Sequence, residues 1–97
     1  MSDVLEPAVF APQGALTMHR AAAVLEEGRR MVQAGPVVVD LAAVNNADSA
    51  ALALILDWLR AARRMGHSIA LRNLPAGLAS LAALYDVDRL LPLEVQQ

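Results

Sequence analysis

The chain has 97 residues, with 8 Lys and Arg against 10 Asp and Glu, and is 57% hydrophobic yet only 3% aromatic. That length supports one core, hence a single domain over residues 1–97, and the slightly acidic balance leaves no basic footprint for nucleic acid. The lack of cysteine excludes disulfides, thiolate metal sites and a cysteine nucleophile.

The N-terminal MSDVLEPAVF is acidic and broken by Pro7, unlike a secretion signal. The most apolar run, AALALIL, stops at Asp57, far short of the roughly 20 residues a spanning helix needs. A soluble, cytoplasmic protein is expected. Pro7 and Pro12 bracket AVFA, and Gly14 follows, so the chain opens with short extended pieces joined by a turn. Thr17 is placed to cap a helix that turns Met18, Ala21, Ala22, Leu25 and Val32 inward and Glu26, Glu27, Arg29 and Arg30 to water. Gly35-Pro36 ends it.

VVVD at 37–40 shows no alternation, as expected of a central strand buried on both faces. A second helix runs from about Ala50 to Met65 and stops at Gly66. SIALR is a second buried strand, and Pro75 opens a third helix over 76–85. The tail VDRLLPLEVQQ is short, with an edge strand expected around Arg89 to Leu91. The result is an α/β fold: a mostly parallel or mixed sheet of about four strands, with three to four helices packed mainly on one face.

Asp40 ends the first central strand, and Asp48-Ser49 stands at the mouth of the second helix. The first amides of that helix lack partners within it and need an acceptor. Asp48 or Ser49 can supply one, so the pair reads either as a cap or as a functional pair. On a helical wheel Asp57, Arg60, Arg63 and Arg64 share one narrow arc, and apolar residues fill most of the rest. A surface helix needs an apolar stripe only a little over 100° wide. The excess points to a second partner. Trp58 is then either an interface anchor or a core residue. The three arginines are either a solvated helix end that complements the dipole or a surface for an acidic partner.

His19 and His67 are far apart and lack ligands at metal-binding spacing, so no metal is expected. There is no GxSxG elbow and no phosphate loop, so neither catalysis nor a bound cofactor is expected of this chain.

VVVDLAAVNNADSAALALIL resembles the signature of STAS domains: a strand ending in Asp-Leu, a short loop, Asp-Ser or Asp-Thr, small residues and a leucine-rich helix. MGHSIALRNLP and LASLAALYDVDRLLP are similar to the last strand and helix of that family, and the resemblance covers residues 14–92. Gly14-Ala15-Leu16-Thr17 before a helix, together with the LYDVDRLLP ending, most resembles the MlaB-like branch. That branch comprises the small STAS subunits of Mla-type phospholipid ABC transporters. The resemblance implies a mostly parallel sheet with helices packed on it and no catalysis. It implies binding to the cytoplasmic ATPase subunit, in support of the transporter's assembly and activity and of outer-membrane lipid asymmetry. The chain would then sit peripheral to the inner membrane, through its partner.

In the family's anti-sigma factor antagonists, the position matching Ser49 is a phosphoacceptor, and Asp48 matches the acid before it. The sequence departs from that pattern at Ala51 and Ala53, where glycines are common. The residues expected at a partner surface are Asp48, Ser49, Ala50, Ala51, Leu54 and Trp58. Two functions stay open, a transporter subunit and a phosphorylation-controlled antagonist.

Overall fold

Val37, Val38 and Val39 are all buried, which is the outcome a run of three β-branched residues without alternation predicts. They form the middle of a computed structural model that describes residues 6–94. The first residues of the acidic N-terminal segment (1–5) and the end of the tail (95–97) lie outside the described residues. The chain runs β1 (Ala8–Phe10), β2 (Gly14–Leu16), α1 (Ala21–Ala34), β3 (Val37–Asp40), β4 (Val44–Ala47), α2 (Ser49–Met65), β5 (Ile69–Arg72) and α3 (Ala76–Leu84), then a 3-10 turn at Asp88–Leu90. Strands β1, β3 and β5 form one sheet in that order, all parallel, with Asp40 opposite Arg72 at its carboxyl edge. The α/β class and parallel pairing are as expected, but the described strands number five and form two sheets.

The added strand is β4, which pairs parallel with β2. Its sequence VNNA reads as a loop because the Asn pair hides the pattern. In the fold Val44 and Ala47 are half-buried while Asn45 and Asn46 are exposed. The Gly14 N–H donates to the Ala43 carbonyl at 3.0 Å, and the register shifts between Gly14 and Ala15. Gly14 sits at φ 81°, a backbone region that glycine enters without strain.

Two boundaries also move. Thr17 does not cap α1; its carbonyl accepts the Arg20 N–H at 3.0 Å in a turn, and Arg20 occupies the cap position without a side-chain cap bond. The Arg20 guanidinium instead donates to the carbonyls of Gln13 and Ala15, at 2.5 and 3.0 Å. The turn delays the helix, and Met18 and Ala22 are left exposed rather than inward. In the tail, the segment expected as a strand is the 3-10 turn, and ladder contact comes later. Leu71 donates its N–H to the Pro92 carbonyl and accepts from the Glu94 N–H, both at 2.8 Å. Arg72 then grips Glu94 through two bonds of 2.7 and 2.9 Å, so the outer edge of β5 is covered.

Helix α2 packs against both α1 and α3. Trp58 is the residue that joins them to the sheet: it is 0% exposed, its Nε1–H donates to the Leu25 carbonyl at 3.1 Å, and it meets Phe10 edge to face at 5.5 Å and 82°. Gly28 makes this possible, because a Cβ there would fall inside the indole ring. A further tie between the helices is Arg29, which grips Asp57 through bonds of 2.9 and 3.0 Å, so Arg29 is not simply a wet residue.

Replacing Trp58 by Ala should cost about 3–5 kcal/mol, as for other large core aromatics. Gly28→Ala should also destabilise, although Ala is better than Gly inside a helix by about 1 kcal/mol. Urea unfolding measures both, and a stabilised Gly28→Ala would contradict the slot.

The carboxyls of Asp40, Asp57 and Glu94 are all held below their ordinary range, chiefly by side-chain hydrogen bonds from Asn73, Arg29 and Arg72 respectively. Depressed native values mean that the unfolded chain binds more protons as pH falls. Their stabilisation is complete above the ordinary carboxylate range and is lost as pH falls below it, through the depressed native values. The urea midpoint should therefore fall progressively as pH drops below about 5, and Asp57→Asn should flatten that slope.

Candidate functional site

The opening turn of α2 settles what Asp48 does. Asp48 is extended, at φ −124° and ψ −164°, and its carboxylate accepts the Ala50 N–H at 2.9 Å. Its own carbonyl accepts the Ala51 N–H at 3.0 Å. Asp48 is the cap, and Ser49 is the first helical residue, exposed and outside the cap. The far end is closed by Gly66 at φ 74°, whose N–H donates to the carbonyls of Ala62 and Arg63. An acid in the cap and Arg63 and Arg64 in the last turn both suit the helix dipole.

The six residues expected at a partner surface divide in two. Asp48 and Ser49 are exposed and Ala50 is half-buried, all within the first turn. Ala51, Leu54 and Trp58 turn into the core. All three are buried, and α2 packs against both α1 and α3, so this part of its apolar surface has its partners inside the chain. Of the two readings open for Trp58, the core one holds. Ala53, one turn beyond Ser49, is exposed and extends the same outer face. The i, i+4 spacing from Ser49 was the signal for it. Of the two departures from the antagonist pattern, Ala51 is thus an internal packing position and Ala53 an external one.

Asp40 does not act as a free acid. Its Oδ1 accepts the Ala42 N–H and the Asn73 Nδ2–H, both at 3.0 Å, fastening the loop after β3 to the end of β5. Asn73 holds a left-handed φ of 59°, which Asn tolerates better than most residues. Arg72, opposite Asp40, is engaged with Glu94. His67 places Nδ1 2.8 Å from the Val32 carbonyl. Among the described residues no group of three His, Asp or Glu side chains could hold a metal ion. What the first turn of α2 presents is a hydroxyl and small side chains on a capped helix end.

Among the described residues, no helix is long and apolar enough to cross a membrane. Residues 5–92 match the family described as "Mlab, STAS domain". Among solved structures, the anti-sigma factor antagonist SpoIIAA in its unphosphorylated form is similar, with a TM-score of 0.71 at 11% identity. The match covers 97% of this chain and 86% of that one, and at such identity it speaks for the fold alone. Comparison with curated proteins finds no match in sequence.

Asp48→Ala should cost about 1 kcal/mol, the usual worth of a cap. Ser49→Ala should leave stability nearly unchanged, since Ser49 holds no cap bond. Denaturant midpoints of the two variants check the assignment; equal losses would contradict it.

Proposed function

Since the chain belongs to the MlaB-type STAS domain family, we propose that it is a non-catalytic subunit of an Mla-type phospholipid ABC transporter. In this reading it binds the cytoplasmic ATPase and supports assembly and activity of the complex, and so outer-membrane lipid asymmetry. It reaches the inner membrane only through that partner. The observation that carries the reading is the family match over residues 5–92, and the exposed Ser49 beside its capping Asp48, with Ala50 and Ala53 close by, supplies a surface for it. Small side chains on a helix end let another protein approach the backbone closely, and the hydroxyl offers one directed hydrogen bond. Ala51, Leu54 and Trp58 serve this surface from within, by fixing the axis of α2.

The second reading is an anti-sigma factor antagonist switched by phosphorylation of Ser49. It is favoured by the likeness to SpoIIAA and by the exposure of the hydroxyl. The two readings differ in what Ser49 is for: a contact in one, a phosphoacceptor in the other.

A phosphate or carboxylate at position 49 adds negative charge beside Asp48 at the same contact. Ser49→Glu should keep its circular dichroism spectrum yet fail to retain the ATPase in a co-expression pull-down. Ser49→Thr, which keeps the hydroxyl, should retain it. Retention of the ATPase by the Glu variant removes Ser49 from the interface. Capture of a sigma-factor kinase that phosphorylates Ser49 establishes the second reading instead.

A further inference from the structure

The outer side of the C-terminal half of α2 borders a groove of about 470 Å³, shared with β5 and the segment after α3. Its floor is Leu56, Leu59 and Ile69, and Leu90 forms a wall while remaining 60% exposed. Arg60 and Arg63 also line it, and neither is in an ion pair among the described residues. Leu56, Leu59, Arg60 and Arg63 follow the i, i+3, i+4, i+7 spacing of one helix face. From Ser49 to Arg60 the helix rises about 16 Å, at 1.5 Å per residue, so this groove is separate from the first turn.

We infer that the groove docks an amphipathic protein segment with apolar anchors flanked by Asp or Glu, whose carboxylates meet Arg60 and Arg63. Charge sets the sign of the occupant: two unpaired guanidiniums beside an apolar floor favour acids next to apolar side chains. The chain as a whole carries a net charge of −2, so it is not drawn to the anionic face of a membrane, and the positive potential is local to this helix end. The edge of β5 is already taken by Pro92 and Glu94, so the occupant binds by side chains, not as an added strand. Recognition then rests on apolar anchors and carboxylates, not on a shared strand ladder.

The test selects binders from a random peptide library displayed on phage against the whole chain. The enriched peptides are then measured by fluorescence anisotropy and mapped by amide chemical shifts. The expected winners carry Asp or Glu beside apolar residues, and shift the amides of Leu56 to Arg63, Ile69 and Leu90. The Arg60→Glu, Arg63→Glu double variant should weaken them about tenfold or more, and Ser49→Glu should not weaken them. Raised salt should weaken them as well. The inference fails if the winners are basic, if none emerge, or if the double variant binds them equally. It also fails if phosphatidylglycerol vesicles, and not peptides, retain the chain through Arg60 and Arg63. Because Ser49→Glu is the control here, loss of the ATPase proposal would leave this result standing.

Discussion

Trp58 and the glycine opposite it set the geometry on which the other elements depend. The chain carries one Trp, one Tyr and one Phe, and two of these three aromatics meet at this point. An indole is too large to fit between two helices unless one of them lacks a side chain at the crossing, and Gly28 provides that gap. The ring then fixes three directions at once. Its ring packs against Gly28 of α1, its N–H is satisfied by the Leu25 carbonyl, and its contact with Phe10 reaches β1. A buried indole N–H without a partner is costly, so the bond to Leu25 selects one orientation of α2 against α1. Arg29 and Asp57 hold the same pair of helices from the partly wet side, where screening makes the ion pair the weaker tie.

That orientation reaches the first turn of α2. With Ala51, Leu54, Ile55 and Trp58 facing inward, the residues a little under half a turn away must face outward, and Ser49 and Ala53 are among them. The cap at Asp48 prevents that turn from fraying, so the hydroxyl is presented on fixed backbone. An outer face of this kind depends on the core behind it. A substitution at a fully buried position such as Ala51 therefore shifts that face without lying on it.

Most of the fold was legible from the chain because hydrophobic pattern and punctuation agreed. VVVD, the Gly66 stop and Pro75 each gave one signal with one structural answer; SIALR gave a strand, but only its Leu71 is fully buried. The failures share a cause: tertiary contacts that override the local signal. Thr17 is a good cap residue, but Arg20 pins the preceding loop and the helix begins later. The Asn pair at 45–46 looks like a loop, but β2 supplies a parallel partner that a single short segment cannot announce. Gly28 looks neutral within a helix, because its reason lies 30 residues away in Trp58. The candidate site was legible as far as Asp48 and Ser49. The division between its outward and inward residues was not, because an apolar excess on α2 fits an external partner as well as two neighbouring helices.

The charges on α2 carry the same lesson further. In sequence, Asp57 and the three arginines share an arc and look like a self-neutralising cluster. In the fold Asp57 is drawn to Arg29 on α1, and its carboxyl feels Arg60 and Arg64 only as weaker, more distant influences. The acid of that arc is therefore spent on joining two helices, and the arginines keep most of their charge for other uses. The negative end of the helix dipole lies close by and tolerates them, so no acid on this chain is needed to balance them. Helix α2, buried along Ala51, Leu54, Ile55 and Trp58, thus presents a small, hydroxyl-bearing surface at one end and a positive one at the other. These two surfaces differ in chemistry as well as in place.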